Sequence, residues 1–456
     1  MNGLPVELMY LLALLGTILV VFVLLKRPIY EAMFIGFVVM LAILGKLAEF
    51  STYLIRPSTN TLFYAIVAFL SLAYIFGQTN VVSNIIDFIL SLVGRFRGGA
   101  GYVSLLASTF MASLSGTGPG NVAATGVFTI PAMIRTKFPP ALAATVEMSA
   151  SSLGPMIPPS GTILLAFGVL DTIYPETYTL SSFWMVVWGI GIWFILQRVV
   201  TLYAFCRYYK VSPVPSEEIP KVGEAFRRGW KALLVPAIIF LPLFIDFKFG
   251  PTLITQRIGK EGASAFSSSV ILFTPGVAAI YTLLISMGEK KENLSPVRLF
   301  HLFRKAMLHI APVAATVYFA YCISYVFGDA KVGAALGDYI HQLNLTRLQL
   351  VIFIPMMTMF LGMFLPGSSQ IAIFGAAIVG GLVAVGVNPL LAAAILPAIT
   401  GALEGMTPPL ALAMYAAMGI AQSGMRETST LAFVWIAVHL VVAILILGGL
   451  LPIVFL

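Results

Sequence analysis

The sequence predicts an all-α polytopic membrane protein with inverted-topology repeats, two re-entrant helical hairpins and two broken helices. Composition is the first observation: of 456 residues, 59% are hydrophobic and only 10% are charged. A soluble protein carries roughly 25% charged residues, so a water-soluble enzyme is improbable. The other two observations are a series of long apolar runs and an internal repeat. The formal charge of +8 would suggest nucleic-acid binding in a soluble chain, but in a membrane protein it indicates loop topology.

The apolar runs follow one another along the whole chain. They cover residues 8–25, 29–48, 61–92, 100–134, 139–170, 182–206, 231–246, 267–287, 306–327, 348–385, 389–421 and 428–450. Runs 100–134 and 348–385 are longer than one helix needs to cross about 30 Å of hydrocarbon, and small polar residues interrupt both midway. We therefore expect each to be a hairpin that enters and leaves on one side. The polar face around Asp87 predicts an amphipathic interfacial helix at the end of run 61–92.

The distribution of Lys and Arg predicts the orientation. If both hairpins are re-entrant, most basic residues, including Arg95, Arg97, Arg135 and Lys137, fall in loops on the same side as the Lys26–Arg27 loop. Basic residues favour the cytoplasmic side. The pattern therefore predicts that both termini face outward.

An internal repeat appears when the chain is compared with itself at an offset of 250 residues. The identities include Pro139 with Pro389, Leu153 with Leu403, Met156 with Met406, and Pro158-Pro159 with Pro408-Pro409. The interrupted hairpins precede these segments at the same offset. By the charge pattern the two copies open to opposite sides, an architecture found in many secondary transporters.

The hairpin turns are the first candidate site. Gly and Pro break the helices at Ser113-Leu-Ser-Gly-Thr-Gly-Pro-Gly-Asn121 and at Gly362-Met-Phe-Leu-Pro-Gly-Ser-Ser-Gln370. Non-helical backbone survives at membrane depth only where protein buries it or where it lines a wet cavity. The helices that start near Asn121 and Gln370 direct positive dipole ends toward the centre, which favours an anionic ligand. Merely structural kinks are the alternative interpretation.

The broken spans are the second candidate site. Adjacent prolines in Ser149–Ser160 and Thr400–Pro409 remove backbone donors and leave carbonyl groups without helical partners. Free carbonyls and hydroxyls form an oxygen cage suited to a hard cation, and Na⁺ is the expected ion. One Na⁺ site per repeat is predicted; proton coupling or no coupling ion are the alternatives.

Ionisable residues inside the apolar runs are functional candidates, because a central charge costs about 3 kcal/mol or more. Glu404 lies within the second break, so we expect a role in ion or proton coupling. For Glu147 a functional role and a structural role with nearby hydroxyl groups are equally open. The four histidines show no metal-ligand spacing.

These motifs resemble the large membrane subunit of tripartite ATP-independent periplasmic (TRAP) transporters, the DctM-like M subunit of the ion transporter superfamily. The resemblance rests on Ser-Gly-Thr-Gly-Pro-Gly-Asn-Val-Ala-Ala-Thr-Gly (115–126), Ser-Ser-Leu-Gly-Pro-Met-Ile-Pro-Pro-Ser (151–160), Leu-Gly-Met-Phe-Leu-Pro (361–366) and Thr-Pro-Pro-Leu-Ala-Leu-Ala-Met-Tyr-Ala-Ala (407–417). It implies a non-enzymatic elevator transporter in the inner membrane, multi-pass, with both termini periplasmic. It also implies a small four-helix membrane subunit and a periplasmic solute-binding protein that delivers a small organic-acid-like anion.

The resemblance implies particular residues for each site. The first Na⁺ site would use Ser113, Ser115, Gly154, Ile157 and Pro159. The second would use Gly362, Pro366, Thr400, Leu403 and Met406. The substrate would contact Thr117, Asn121, Ser368, Ser369 and Gln370 between the hairpin tips.

The implied domains divide the chain into five segments. Residues 1–92 and 178–342 would form the scaffold, 93–177 and 343–427 the two transport-domain repeats, and 428–456 the final transmembrane helix. Two other functions remain open at this point. One is a stand-alone ion-coupled anion transporter or Na⁺/H⁺ exchanger of the same superfamily; the more distant one is an intramembrane enzyme.

Overall fold

In a computed structural model the chain is all-helical, with no strand among the described residues. The structure describes every residue except 1–5, 116–117, 291–294, 333–334, 336–338, 340–341, 343–344 and 409. The helices are α1 Val6–Leu19, α2 Ile29–Ile43, α3 Phe50–Ile55, α4 Thr61–Gly77, α5 Val81–Val93, α6 Gly99–Ser115, α7 Gly118–Asn121, α8 Val127–Arg135, α9 Pro140–Ser151, α10 Gly161–Ile173, α11 Leu180–Tyr208, α12 Val222–Phe249, α13 Thr255–Lys290, α14 Pro296–Asp329, α15 Arg347–Gly362, α16 Gly367–Ala384, α17 Pro389–Ala394, α18 Leu396–Ile399, α19 Gly401–Glu404, α20 Leu412–Ala421 and α21 Met425–Leu447.

Seven helical segments of the described chain are long and apolar enough to cross a membrane. They are Pro140–Ile173, Leu180–Tyr208, Ser216–Phe249, Thr252–Ser286, Ile310–Asp329, Gly367–Ala384 and Met425–Leu447. The bent pair Leu47–Thr59 and Thr61–Gly77 would make an eighth. The predicted all-α polytopic class is therefore confirmed.

The amphipathic segment near Asp87 is a separate helix, α5. Val81, Val82, Ile85 and Ile86 are buried on one face, and the Asp87 carboxylate lies 3.8 Å from the Arg228 guanidinium. Apolar residues at this spacing give a helix one buried stripe. Run 61–92 therefore contains two helices rather than one long span.

The two broken spans are interrupted where the prolines are. In the first, α9 ends at Ser151, a short 3₁₀ turn covers Gly154–Met156, and α10 begins at Gly161. In the second, the short helices α17, α18 and α19 precede the break and α20 follows it from Leu412. Pro removes a helical donor and clashes with the preceding turn, so neither segment continues as one regular helix.

The first interrupted run reverses direction. Ser108 on α6 and Thr125, in a π-helical turn at Val122–Gly126, lie with their hydroxyl oxygens 2.8 Å apart. The two arms therefore run side by side around the turn. In the second run α15 and α16 contact each other across residues 363–366.

Each hairpin packs against parts of both broken spans. The first, α6 to α8, contacts α9 and α20; the second, α15 and α16, is joined through α16 to α10 and α17. The first hairpin thus contacts α9, which precedes the first break, and α20, which follows the second. The second hairpin contacts α17, which precedes the second break, and α10, which follows the first. Helices α4 and α14 contact this assembly through α10 and α16.

Candidate ion and substrate site

The two breaks meet through closely approaching backbones. A Cβ on Gly367, at the start of α16, would collide with the backbone of Gly401. A Cβ on Gly401 would lie 2.8 Å from the Cβ of Pro155, inside the first break. Only glycine allows such approach. The tip of the second hairpin and both breaks therefore converge on one point.

Two buried amide side chains present oxygens without partners near this point. Asn121 donates from Nδ2 to the Ser108 carbonyl oxygen at 3.1 Å and to Ser151 Oγ at 2.8 Å. Gln370 donates from Nε2 to the Leu365 carbonyl oxygen at 3.1 Å. Since carbonyl groups only accept hydrogen bonds, the amide nitrogens must face them. Among the described residues, Asn121 Oδ1 and Gln370 Oε1 have no hydrogen-bond partner.

Two serine hydroxyls share this condition. Ser149 on α9 and Ser369 on α16 are fully buried, and neither Oγ has a hydrogen-bond partner in the described part of the chain. Buried polar groups without a partner are rare in native proteins. An unfilled amide oxygen such as that of Asn121 or Gln370 can only accept and so suits a cation, whereas the Ser369 hydroxyl can contact either a cation or an anion.

The residues predicted for the first Na⁺ site lie in and beside the first break. Gly154, Ile157 and Pro159 are buried, and the Cβ position of Gly118 at the hairpin tip is 3.8 Å from the Ser151 carbonyl oxygen. Ser113 and Ser115 belong to the end of α6, and their side chains lie outside the part of the chain that is described. Thr117 also lies outside the described residues.

The residues predicted for the second Na⁺ site lie where the second hairpin packs against the second break. A Cβ on Gly362 would lie 3.4 Å from the backbone of Glu404, and Thr400 lies against Gly367. Thr400 Oγ1 donates to the Leu396 carbonyl oxygen at 2.7 Å, which leaves its acceptor capacity for an ion. Met406 is fully buried, whereas Pro366 is half-buried.

The Leu403 carbonyl is the weakest ligand candidate of this set. Its oxygen accepts from the backbone N–H groups of Met406 at 3.0 Å and Thr407 at 3.1 Å, and from Thr407 Oγ1 at 2.7 Å. A carbonyl oxygen has two lone pairs. This oxygen is therefore already occupied.

A cavity of about 90 Å³ lies where the breaks meet helices α4 and α14. Its lining residues are Ile66, Leu70, Pro155, Gly161, Thr162, Leu165, Val313, Val317, Ser368, Gly401 and Glu404. Of the five predicted substrate residues, the described lining includes Ser368. Asn121, Ser369 and Gln370 are buried inside the protein.

Glu404 joins the cavity to the second hairpin. Its Oε2 accepts a hydrogen bond from the backbone N–H of Gly367, the first residue of α16. A carboxylate at a helix N-terminus satisfies an unpaired donor and interacts favourably with the dipole. The helix end that the sequence analysis expects to face an anionic ligand therefore already has the Glu404 carboxyl group bound to its first N–H.

Glu147 lies in a cluster of hydroxyl groups. It is fully buried and accepts hydrogen bonds from Ser104 at 2.6 Å, Ser108 at 2.7 Å, Thr125 at 2.6 Å and Thr129 at 2.7 Å. Ser151 Oγ lies 3.2 Å from the same carboxylate. The carboxylate thus binds both arms of the first hairpin to α9.

A buried arginine on α11 lies next to the first break and reaches the second through a histidine. Arg198 on α11 donates from Nε to the Ser149 carbonyl oxygen at 3.3 Å and from Nη2 to Ser152 Oγ at 3.1 Å. Its Nη1 is 3.0 Å from His439 Nδ1, and His439 Nε2 is 2.9 Å from the Ala398 carbonyl oxygen. A cation near the end of α9 complements the helix dipole. The sequence feature that could have identified this residue is that it is the single Arg inside the apolar run 182–206.

The kind of ligand that these residues can hold follows from their chemistry. Among the described residues no three His, Cys, Asp or Glu side chains come together in a transition-metal arrangement. Neutral oxygens from amides, hydroxyls and backbone are the ligands of hard cations. The residues present therefore fit Na⁺.

The family comparison assigns the chain. Residues 8–450 match the model for "Tripartite ATP-independent periplasmic transporter, DctM component". The chain belongs to this family. The resemblance drawn from the hairpin and break motifs is thereby confirmed, and this TRAP large permease is a transporter component rather than an enzyme.

Curated relatives of the permease agree with that assignment. The chain is 24% identical to the C4-dicarboxylate TRAP transporter large permease protein DctM of Pseudomonas aeruginosa, over 80% of this chain and 79% of that protein. It is 23% identical to the sialic acid TRAP transporter large permease protein SiaM of Vibrio cholerae, over 78% and 77%. It is 24% identical to the 2,3-diketo-L-gulonate TRAP transporter large permease protein YiaN of Escherichia coli, again over 78% and 77%.

Solved structures share the fold of the permease at lower identity. Neisseria gonorrhoeae MtrF has a TM-score of 0.65 at 13% identity and covers 89% of this chain and 85% of its own. The YdaH transporter of Alcanivorax borkumensis has a TM-score of 0.62 at 16% identity, with 89% and 88% covered. These likenesses concern the fold alone.

Proposed function

We propose that this TRAP large permease is the Na⁺-coupled transport subunit that imports a small organic acid by an elevator mechanism. A small four-helix membrane subunit and a periplasmic solute-binding protein that delivers the acid would complete the system. The chain would lie in the inner membrane with both termini on the periplasmic side, as the distribution of basic residues predicts.

The unpartnered amide oxygens of the two hairpins carry the proposal of Na⁺ coupling. Asn121 Oδ1 and Gln370 Oε1 each come from one hairpin, and each is buried without a donor. An unmade hydrogen bond of this kind costs about 1 to 3 kcal/mol. A bound Na⁺ would give both oxygens a partner and so remove this cost. Ion binding would thereby stabilise the present arrangement of the two hairpins.

The names of the relatives support an acid as the substrate. C4-dicarboxylates, sialic acid and 2,3-diketo-L-gulonate, from which three relatives take their names, all carry a carboxylate. In this chain Gly161, the first residue of α10, and Ser368, the second residue of α16, line the cavity. Two helix N-termini would offer N–H donors to a carboxylate.

The elevator proposal rests on how the cavity is built. One side of its lining comes from α4 and α14, through Ile66, Leu70, Val313 and Val317, and the other from the hairpins and breaks. The scaffold side is apolar and would let the opposite side slide along it. Arg198 on α11 and His439 on α21 together bind to both breaks, so we place α11 and α21 with the moving part. This assignment removes α11 from the proposed scaffold segment 178–342.

Uptake into proteoliposomes tests this proposal. With the small subunit and the binding protein present, an inward Na⁺ gradient should drive acid uptake, and a K⁺ gradient should not. Asn121→Leu and Gln370→Met remove one unpartnered oxygen each and should raise the Na⁺ concentration for half-maximal uptake by about tenfold, the equivalent of about 1.4 kcal/mol. Uptake without the binding protein would favour the stand-alone transporter, and Na⁺-independent uptake would refute the coupling.

A further inference from the structure

Arg198 carries a positive charge that no carboxylate balances within the described part of the chain. Its side chain is buried and forms no ion pair there. Its donors bind instead to Gln197 Oε1, His439 Nδ1, the Ser149 carbonyl oxygen and Ser152 Oγ. A guanidinium group stays protonated in proteins, and burying a charge is costly unless hydrogen bonds satisfy it. Displacing any one of these partners would therefore leave a charged donor unpaired.

The hydrogen bonds of His439 determine which of its ring nitrogens carries the proton. Arg198 Nη1 can only donate, so His439 Nδ1 accepts at 3.0 Å. The other ring nitrogen, Nε2, then carries the proton and donates it to the Ala398 carbonyl oxygen at 2.9 Å. The ring also stacks on Phe194, with the two ring centroids 4.2 Å apart. His439 thus connects Arg198 to Ala398 in one continuous chain of hydrogen bonds.

The two carbonyl groups that this chain of hydrogen bonds joins occupy corresponding places in the two repeats. Ser149 lies in the last turn of α9, before the first break, and Ala398 lies in α18, before the second break. At the offset of 250 residues Ala398 corresponds to Met148, the residue next to Ser149. Arg198 and His439 therefore bind equivalent stretches of backbone in the two repeats.

Both ends of the chain of hydrogen bonds also lie close in sequence to a predicted Na⁺ ligand. Ser152, which accepts from Arg198, is followed two residues later by Gly154, which the resemblance assigns to the first site. Ala398 is followed two residues later by Thr400, which it assigns to the second site. A displacement of either break would therefore move both a ligand and a partner of the buried pair.

We propose that Arg198 and His439 are positioning residues that couple the two Na⁺ sites, so that an ion bound at one break raises the affinity of the other break for Na⁺. This inference rests on the proposed Na⁺ coupling and adds cooperativity between the two sites to it. An ion that holds one break in place also holds the pair in place, and the pair then fixes the carbonyl group of the other break. Coupling of this kind acts equally in both directions.

Equilibrium binding of radioactive Na⁺ to the purified full chain tests the proposal. The unaltered chain should bind two Na⁺ ions, and the first should raise the affinity for the second by at least about fivefold. His439→Phe keeps an aromatic ring against Phe194 but removes both hydrogen bonds of the imidazole. This variant should still bind two ions, with the ratio of the two affinities reduced to about one. A merely structural defect would lower the amount of folded protein and leave this ratio unchanged.

His301→Phe is the matched control, because it makes the same substitution at an exposed histidine of α14, and it should keep the cooperativity. Arg198→Met interrupts the chain of hydrogen bonds from its other end and should abolish the cooperativity as His439→Phe does. Combining the two substitutions should cause no further loss, since residues of one network do not act additively.

The results that contradict this inference differ from those that contradict the proposed function. Independent binding of two ions to the unaltered chain, binding of a single ion, or full cooperativity in His439→Phe would overturn the inference alone. An unaltered chain that binds no Na⁺ would overturn the proposed coupling and this inference together. The measurement on the unaltered chain decides the question even if the variants do not fold.

Discussion

Glu147 shows how one residue can hold a hairpin together without an ionic partner. Five hydroxyl groups from α6, the turn after it, α8 and α9 surround its carboxylate. Hydrogen bonds to an ionised acceptor are about twice as strong as neutral ones. The cluster therefore binds the first hairpin to α9 as one rigid unit.

Glu147→Ala should lower the free energy of unfolding by about 3 kcal/mol or more, because it leaves several buried hydroxyls without an acceptor. Thermal unfolding of the purified chain in detergent measures this. Glu147→Gln keeps one acceptor oxygen and should cost clearly less. If both variants unfold at the temperature of the unaltered chain, the cluster has no structural role.

The sequence predicts little of this arrangement at the residue scale. Glu147 is visible as an ionisable residue in an apolar run, but Ser104, Ser108, Thr125 and Thr129 come from three other segments. Their convergence depends on the hairpin fold, which no local pattern specifies. The same holds for Arg198 and His439, which lie 241 residues apart in the chain.

The breaks in the helices were predictable because their cause is local. Pro and Gly act on the backbone of the residues next to them, and the helices end where those residues are. What a local pattern does not contain is the close approach of Gly367, Gly401 and Pro155. A glycine in a break can be there because the backbone needs its conformational freedom or because another segment packs against it, and the local sequence does not distinguish the two reasons.

Gly401→Ala should therefore be costly, because its new Cβ would lie 2.8 Å from the Cβ of Pro155. Overpacking of this kind costs about 1 to 3 kcal/mol, and it should separate the breaks and weaken Na⁺ binding. Gly419→Ala in α20 is the matched control, since nothing lies within 4 Å of its Cβ position. Equal stability and equal Na⁺ binding of the two variants would contradict a shared site.

At the scale of the whole molecule, a cross-link between α4 and α10 tests whether the proposed moving part slides along the proposed scaffold. The Cβ position of Gly161 is 3.9 Å from the Cβ of Ile66, close to the roughly 3.8 Å found in disulfides. Ile66→Cys with Gly161→Cys should form a disulfide that stops uptake, and reduction should restore it. Cys206 and Cys322 are both buried and would first be replaced by serine.

Gly118→Cys with Ala413→Cys provides the control for this experiment. These Cβ positions lie 3.2 Å apart and join the first hairpin to α20, both inside the proposed moving part. This cross-link should leave uptake largely intact. Full uptake by the oxidised Ile66–Gly161 pair would exclude sliding at this interface.

The contact of Pro155, Gly367 and Gly401 also limits how the gene can change. A side chain at position 367 would meet the backbone of Gly401, which no substitution can remove, whereas a side chain at position 401 could be accommodated by a smaller residue in place of Pro155. Among homologous permeases, position 367 should therefore remain glycine, and substitutions at positions 155 and 401 should occur together although the two codons are far apart.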